Sequence, residues 1–128
     1  MASELRVDTL KDSSGNNSVG MAYVAEGSAK AWMTAAGDGT AVDDSFNTSS
    51  LTDGGVGVFT QNYTNSFNNA HYSWVGQQES TFSTTAVIIA HTHSAKTTSA
   101  TQFFTYNTGG GANTDTEECC SQITGDLA

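Results

Sequence analysis

SFNTSSLTDGGVGVFTQNYTNSFNNAHYSWVG, residues 45–76, contains two alternating runs separated by a glycine turn and an asparagine-rich loop. In the run from Val58 to Thr64, Phe59, Gln61 and Tyr63 share one face, and Val58, Thr60, Asn62 and Thr64 share the other. In the next run Tyr72 and Trp74 point opposite to Ser73 and Val75. A period of two is the signature of a half-buried strand, and strands joined by short turns make an antiparallel meander. One apolar face and one hydroxyl-rich face predict a sandwich with a wet outer surface.

Working outward, further strands are expected at residues 41–51, 86–94, 101–108 and 119–124, with the pair just described at 57–64 and 70–77. Ala86 to Ala90 (AVIIA) is the most apolar run and is expected to be the most buried strand. Residues 29–36 (AKAWMTAA) suit a short helix by propensity or a first strand of the body. Gly27-Ser28 before them and Gly37-Asp38-Gly39 after them favour the strand. Thr (19), Ser (15), Asn (9) and Gly (13) make 56 of 128 residues, a balance that favours strands and tight turns. With no proline, the turns must come from Gly, Asn and Asp.

At 128 residues the chain suits one domain with a modest core. Before it, Leu5 and Val7 alternate with Arg6 and Asp8. DSSGNNS (12–18) is a polar turn, and Val19, Met21 and Tyr23 resume the alternation. This extended lead-in has too few large apolar side chains to close a core and needs a partner surface. Thirteen acidic residues against four basic ones give a formal charge of −9, which repels phosphate backbones and anionic lipid. Nucleic acid and membrane insertion are therefore not expected. No charged region followed by an apolar stretch opens the chain, and no apolar run approaches about 18 residues, so the expected place of synthesis is a cytoplasm-like compartment.

Two blocks give the sequence a resemblance to a known family. ASELRVDTLKDSSGNNSV (2–19) resembles the start of small tail-fibre proteins of marine podoviruses and related bacteriophages. AEGSAKAW (25–32) with DSFNTSSLTDGGVGVFTQNYTNSFNNAHYSWVG (44–76) resembles their distal head domain, and GDLA (125–128) resembles the end of such chains. The likeness covers about two thirds of the chain and lies in the order of the blocks; residues 77–124 depart from it. It implies a non-enzymatic virion structural protein, assembled in the host cytoplasm: a homotrimeric fibre subunit or adhesin. Residues 1–28 would attach it to a phage tail or capsid protein and trimerise it, burying Leu5, Val7, Leu10, Val19, Met21 and Tyr23. Residues 29–128 would form a jelly-roll-like β-sandwich head facing a bacterial surface glycan or protein. A capsid-attached fibre or decoration protein and a free carbohydrate-binding module are the alternatives.

The candidate chemistry is sparse. On a strand, His91 and His93 share a face about 7 Å apart, so three symmetry-related copies would offer six nitrogens to a transition metal on a threefold axis. The competing reading is two polar residues at the end of a buried strand. No other cofactor is suggested. Asp43-Asp44 and Glu117-Glu118 are adjacent pairs whose members face apart, unlike the roughly 5 to 9.5 Å opposed carboxyls of glycoside cleavage, and read as solvated turns or edge-strand gatekeepers. No G-x-S-x-G, Walker loop or H-E-x-x-H occurs. Cys119 and Cys120, beside two glutamates, are expected to be unbridged, one buried and one partly exposed, with raised thiol pKa values. Gly109-Gly110-Gly111, with Asn107 and Asn113, reads as a flexible contact tip. Phe103 and Phe104 must face opposite ways, and Phe103 joins the tip as a receptor-contact candidate. Most of the remaining rings are expected in the core.

Overall fold

The structure, a computed structural model, describes residues 3–79, 87–90 and 96–128. The chain opens with a hairpin of β1 (Thr9–Lys11) and β2 (Ser18–Gly20), followed by the short helix α1 (Met21–Gly27). The body consists of β3 (Ala29–Ala36), β4 (Val42–Phe46), β5 (Thr48–Asp53), β6 (Val58–Tyr63), β7 (Ser73–Glu79), β8 (Val87–Ala90), β9 (Ala100–Asn107), β10 (Ala112–Asn113) and β11 (Glu118–Thr124). Every strand pair among the described residues is antiparallel, so the all-β class holds.

The body strands form two sheets. One has the order β4-β3-β11-β7; the other runs β10-β9-β6-β5, with β8 also on β9. Val58 of β6 and Ala90 of β8 both pair with Phe104, which places β6 and β8 on opposite edges of β9. Gly57 continues the β6 edge. Its amide donates to Asp115 Oδ1 at 2.7 Å and its carbonyl accepts from Thr105 N at 3.0 Å. At φ +62°, with Thr114 and Thr105 backbone atoms within 2.7 Å of where a Cβ would stand, only glycine fits there.

The sheets share their apolar residues. Met33, Ala35 and Cys119 from the first meet Phe59 and Phe103 from the second. Ala31 and Ile123 of the first meet Tyr63 of the second, together with Phe67 and Tyr72. The body thus closes its own core, with Phe59, Phe67, Phe103, Met33 and Ile123 fully buried. The buried tyrosine hydroxyls in this core are paired. Tyr63 and Tyr72 hydroxyls both meet Thr101 Oγ1, and Tyr72 also donates to the Thr97 carbonyl at 3.0 Å. Gln61 is completely buried between the sheets: its Nε2 donates to Thr48 Oγ1 at 2.8 Å, and its Oε1 accepts from Ser121 Oγ at 2.7 Å. One amide therefore joins β6 to β5 in its own sheet and to β11 in the other.

The strand expected over 41–51 is two strands broken by Asn47, which sits at φ 54° and carries the chain from one sheet to the other. Asparagine tolerates this left-handed geometry because its side chain bonds nearby backbone. Here Nδ2 donates to the Lys30 carbonyl at 3.0 Å and the Asn65 carbonyl at 3.1 Å, while Oδ1 accepts from Asn65 N at 2.7 Å. The strand expected from Ala70 begins at Ser73, since Asn69 first forms an Asx turn with the His71 amide at 2.8 Å. Residues 29–36 are a strand as favoured, and 58–63 alternate as read.

The lead-in differs from the extended segment expected. Met21 and Tyr23 lie on α1 instead of continuing a strand, because MAYVAEG is rich in helix formers and Gly20 ends β2. Met21 and Val24, three apart, are the two partly covered residues of that helix.

Two substitutions test these joints by urea unfolding. Gln61→Leu leaves the Thr48 and Ser121 hydroxyls without their buried partner and is expected to cost about 1–3 kcal/mol. Asn47→Ala, which loses three backbone contacts at a left-handed φ, is expected to cost about 2–4 kcal/mol. A midpoint unchanged in either variant would contradict the role given to that side chain.

Candidate functional site

The outer face of the four-stranded sheet carries the most developed surface feature. Along β3 the small or apolar residues Ala31, Met33 and Ala35 turn inward, which leaves Lys30, Trp32 and Thr34 pointing out. The register sets Trp32 opposite Phe46 of β4 and Gln122 of β11, and Gln122 opposite Val75 of β7. A row Phe46–Trp32–Gln122–Val75 therefore crosses the whole sheet. Phe46 is 53% exposed and Val75 60%. The adjoining row is polar: Asp44, Thr34, Cys120 and Gln77.

Between these rows lies a groove of about 400 Å3 lined by Trp32, Thr34, Val75, Gln77, Cys120 and Gln122. No hydrogen bond within the described residues occupies the Gln77 or Gln122 side-chain amide, and both residues are exposed. At one end Glu118 of β11 stands directly opposite Glu79 of β7, and Asp44 flanks Thr34 on β4, so this end is negative.

Cys120 opens into this groove and Cys119, its neighbour, faces the core, as the alternation requires. Both thiols are free and both are raised in pKa. Burial pushes Cys119 up to about 12, with the nearby charges of Cys120, Glu118 and Asp43 adding to it. Burial raises Cys120 too, and its Sγ donates to Glu118 Oε1 at 3.2 Å, which further favours the thiol form.

The other residues singled out by sequence are dispersed. Leu5 (79% exposed) and Tyr23 (78%) stand in the open, and Val7, Leu10 and Val19 are exposed too; Met21 is partly covered. Leu10 and Val19 face each other across the hairpin. Gly109, Gly110, Gly111 and Asn113 are exposed, but the tip is an organised turn. Asn107 Oδ1 accepts from the Gly109 and Gly110 amides at 2.9 and 2.8 Å, and its carbonyl from Gly111 N at 2.9 Å. Phe103 is fully buried against Phe59 and Trp74, so it is a core residue and not a surface contact; Phe104 is the partly exposed member of the pair. His91 and His93 lie outside the described residues, and no group of three or more potential metal ligands occurs among those described. Asp43 and Asp44 lie on β4, the last strand of its sheet, where charge discourages further pairing.

Sequence reasoning missed the row that Trp32 belongs to. The signal was present: once 29–36 is a strand, Trp32 shares a face with Lys30 and Thr34, not with Ala31, Met33 and Ala35. Partners on other strands needed the register.

No family model, curated protein or solved structure matches this chain.

Because the folded Cys119 pKa lies above its ordinary 9.0, the folded state holds that proton more tightly than the unfolded chain. Its contribution to stability is complete below about 9 and declines as pH rises toward about 12. Cys119→Ser is expected to flatten the alkaline fall in the urea midpoint. A native disulfide-exchange reagent at mildly alkaline pH should label Cys120 alone, with Cys119 reacting after denaturation; simultaneous labelling would contradict the placement.

Proposed function

We propose that this chain is a virion structural protein, a non-enzymatic bacteriophage tail-fibre subunit. It works as a homotrimer in the virion: residues 1–28 attach it to a phage tail protein and trimerise it, while residues 29–128 form a jelly-roll-like β-sandwich head turned toward the host surface. The observation that carries this reading is the exposed apolar surface of the lead-in. The body encloses its own core and leaves Phe46, Val56 and Val75 exposed on its surface, whereas Leu5 and Val7 ahead of the hairpin, Leu10 and Val19 on it and Tyr23 on α1 stand exposed on a segment too small to bury them. Threefold wrapping of such arms covers these side chains against their symmetry mates.

The sequence likeness of 2–19 and 44–76 to tail-fibre proteins points the same way. The net charge of −9 speaks against nucleic acid, and no helix among the described residues is long and apolar enough to cross a membrane. Docking on the capsid as a decoration fibre uses the same parts. A carbohydrate-binding module is a second reading, favoured by the groove around Trp32.

Native mass or light scattering is expected to give three times the 13.3 kDa chain mass at micromolar concentration. Deleting residues 2–20 should weaken the trimer and abolish incorporation into particles while leaving the head folded. A full-length protein that stays monomeric would overturn the proposal.

A further inference from the structure

The geometry points to a ligand class for the groove around Trp32: a neutral saccharide held on the outer face of the four-stranded sheet. This inference rests on the head being the host-contacting part of the chain, and it moves the contact from the Gly109–Gly111 turn to this face.

Four features of the face argue for it. Trp32 lines the groove and Phe46 is its register partner on the neighbouring strand at the groove's margin, and a flat ring covers the C–H side of a pyranose while leaving its hydroxyls free. Those hydroxyls need donors and acceptors at the margin. The Gln77 and Gln122 amides and the Thr34 hydroxyl supply both, and the two amides are not engaged elsewhere in the described chain. The row from Phe46 to Val75 crosses three inter-strand gaps, about 14 Å, the length of a short oligosaccharide. The groove volume of about 400 Å3 lies within the ordinary range for small-molecule sites.

Charge decides between occupants. Glu79, Glu118 and Asp44 share this face, with Lys30, at the far end of β3, as an outward cation among the described residues. They repel uronic, sialic or phosphorylated sugars, and they repel the same face of a second copy of a chain carrying −9. A ligand without charge meets no such barrier. The Gly109–Gly111 turn, by contrast, has no side chain to offer at its three glycines, and Asn107 Oδ1 is already held by two amides.

The test is a titration of the full-length protein with neutral oligosaccharides of glucose, mannose, galactose and N-acetylglucosamine. Oligogalacturonate and sialyllactose serve as anionic controls, and binding is read by calorimetry and by tryptophan fluorescence. At least one neutral series is expected to bind and the anionic ones not. Trp32→Ala should weaken binding about tenfold or more, and Gln122→Ala, an exposed change that leaves the core intact, severalfold. Asn113→Ala should leave it unchanged. Failure of every neutral probe at millimolar concentration, unchanged affinity in both Trp32→Ala and Gln122→Ala, or preference for the anionic sugars overturns the assignment. Mass measured on the same samples separates the two claims. A trimer that ignores sugars sinks the saccharide site alone, whereas a sugar-binding monomer keeps the site and sinks the fibre reading.

Discussion

The side chain of Gln61 is the point on which the body depends. It is an amide with no access to water, placed where a hydrocarbon would be expected, and it ties one sheet to the other through Ser121 while holding β5 through Thr48. An unpaired amide in that position would be costly, so the three groups are stable only together. That mutual requirement fixes how β6 lies over β11, and through β11 it fixes β3 and β7 on either side. The aromatic residues above and below it, Phe59 and Tyr63, then fall into separate clusters. A core that mixes aromatic rings with buried polar groups is thereby given one arrangement instead of several.

The outer surfaces follow from that inner arrangement. Because inward positions of β3 are taken by Ala31, Met33 and Ala35, Trp32 is forced out, and the register lines it up with Phe46 and Val75. Opposite, the second sheet shows a hydroxyl and amide surface in which Asn62 Nδ2 reaches Ser50 Oγ at 3.1 Å and Thr52 Oγ1 at 3.0 Å. The second sheet also turns Gln102, Phe104 and Tyr106 of β9 outward. What sets the Trp32 face apart is its groove and the carboxylates of Asp44, Glu79 and Glu118 beside it.

Much of this was legible in the order of residues. The alternation at 58–63 named Phe59, Gln61 and Tyr63 as companions on the buried face, and the adjacent cysteines were separable into an inner and an outer thiol by period alone. Local pattern did not reveal where the chain turns a corner, because Asn47 sits in a run that reads as continuous strand and its left-handed φ depends on Lys30 and Asn65, distant in sequence. Nor could it place Phe103: either of two neighbouring phenylalanines suits an inward position, and only pairing with β6 decides which. Met21 and Tyr23 were misread because three alternating apolar residues at a period of two cannot exclude a short helix. The row through Trp32 required four strands to be set side by side, information that no single segment contains.

The crossing at Asn47 has a consequence for how such a chain can vary. One residue, not a loop, makes the transfer between sheets, and it is pinned from both directions by Lys30 and Asn65. An inserted residue there would slip β5 by one step against β6 and exchange the two faces of β5. Added length is expected to be better accommodated at exposed turns, such as the glycine turn between β9 and β10 and the hairpin at the amino-terminal end. The architecture sorts its own sequence into segments that can drift and one hinge point that cannot.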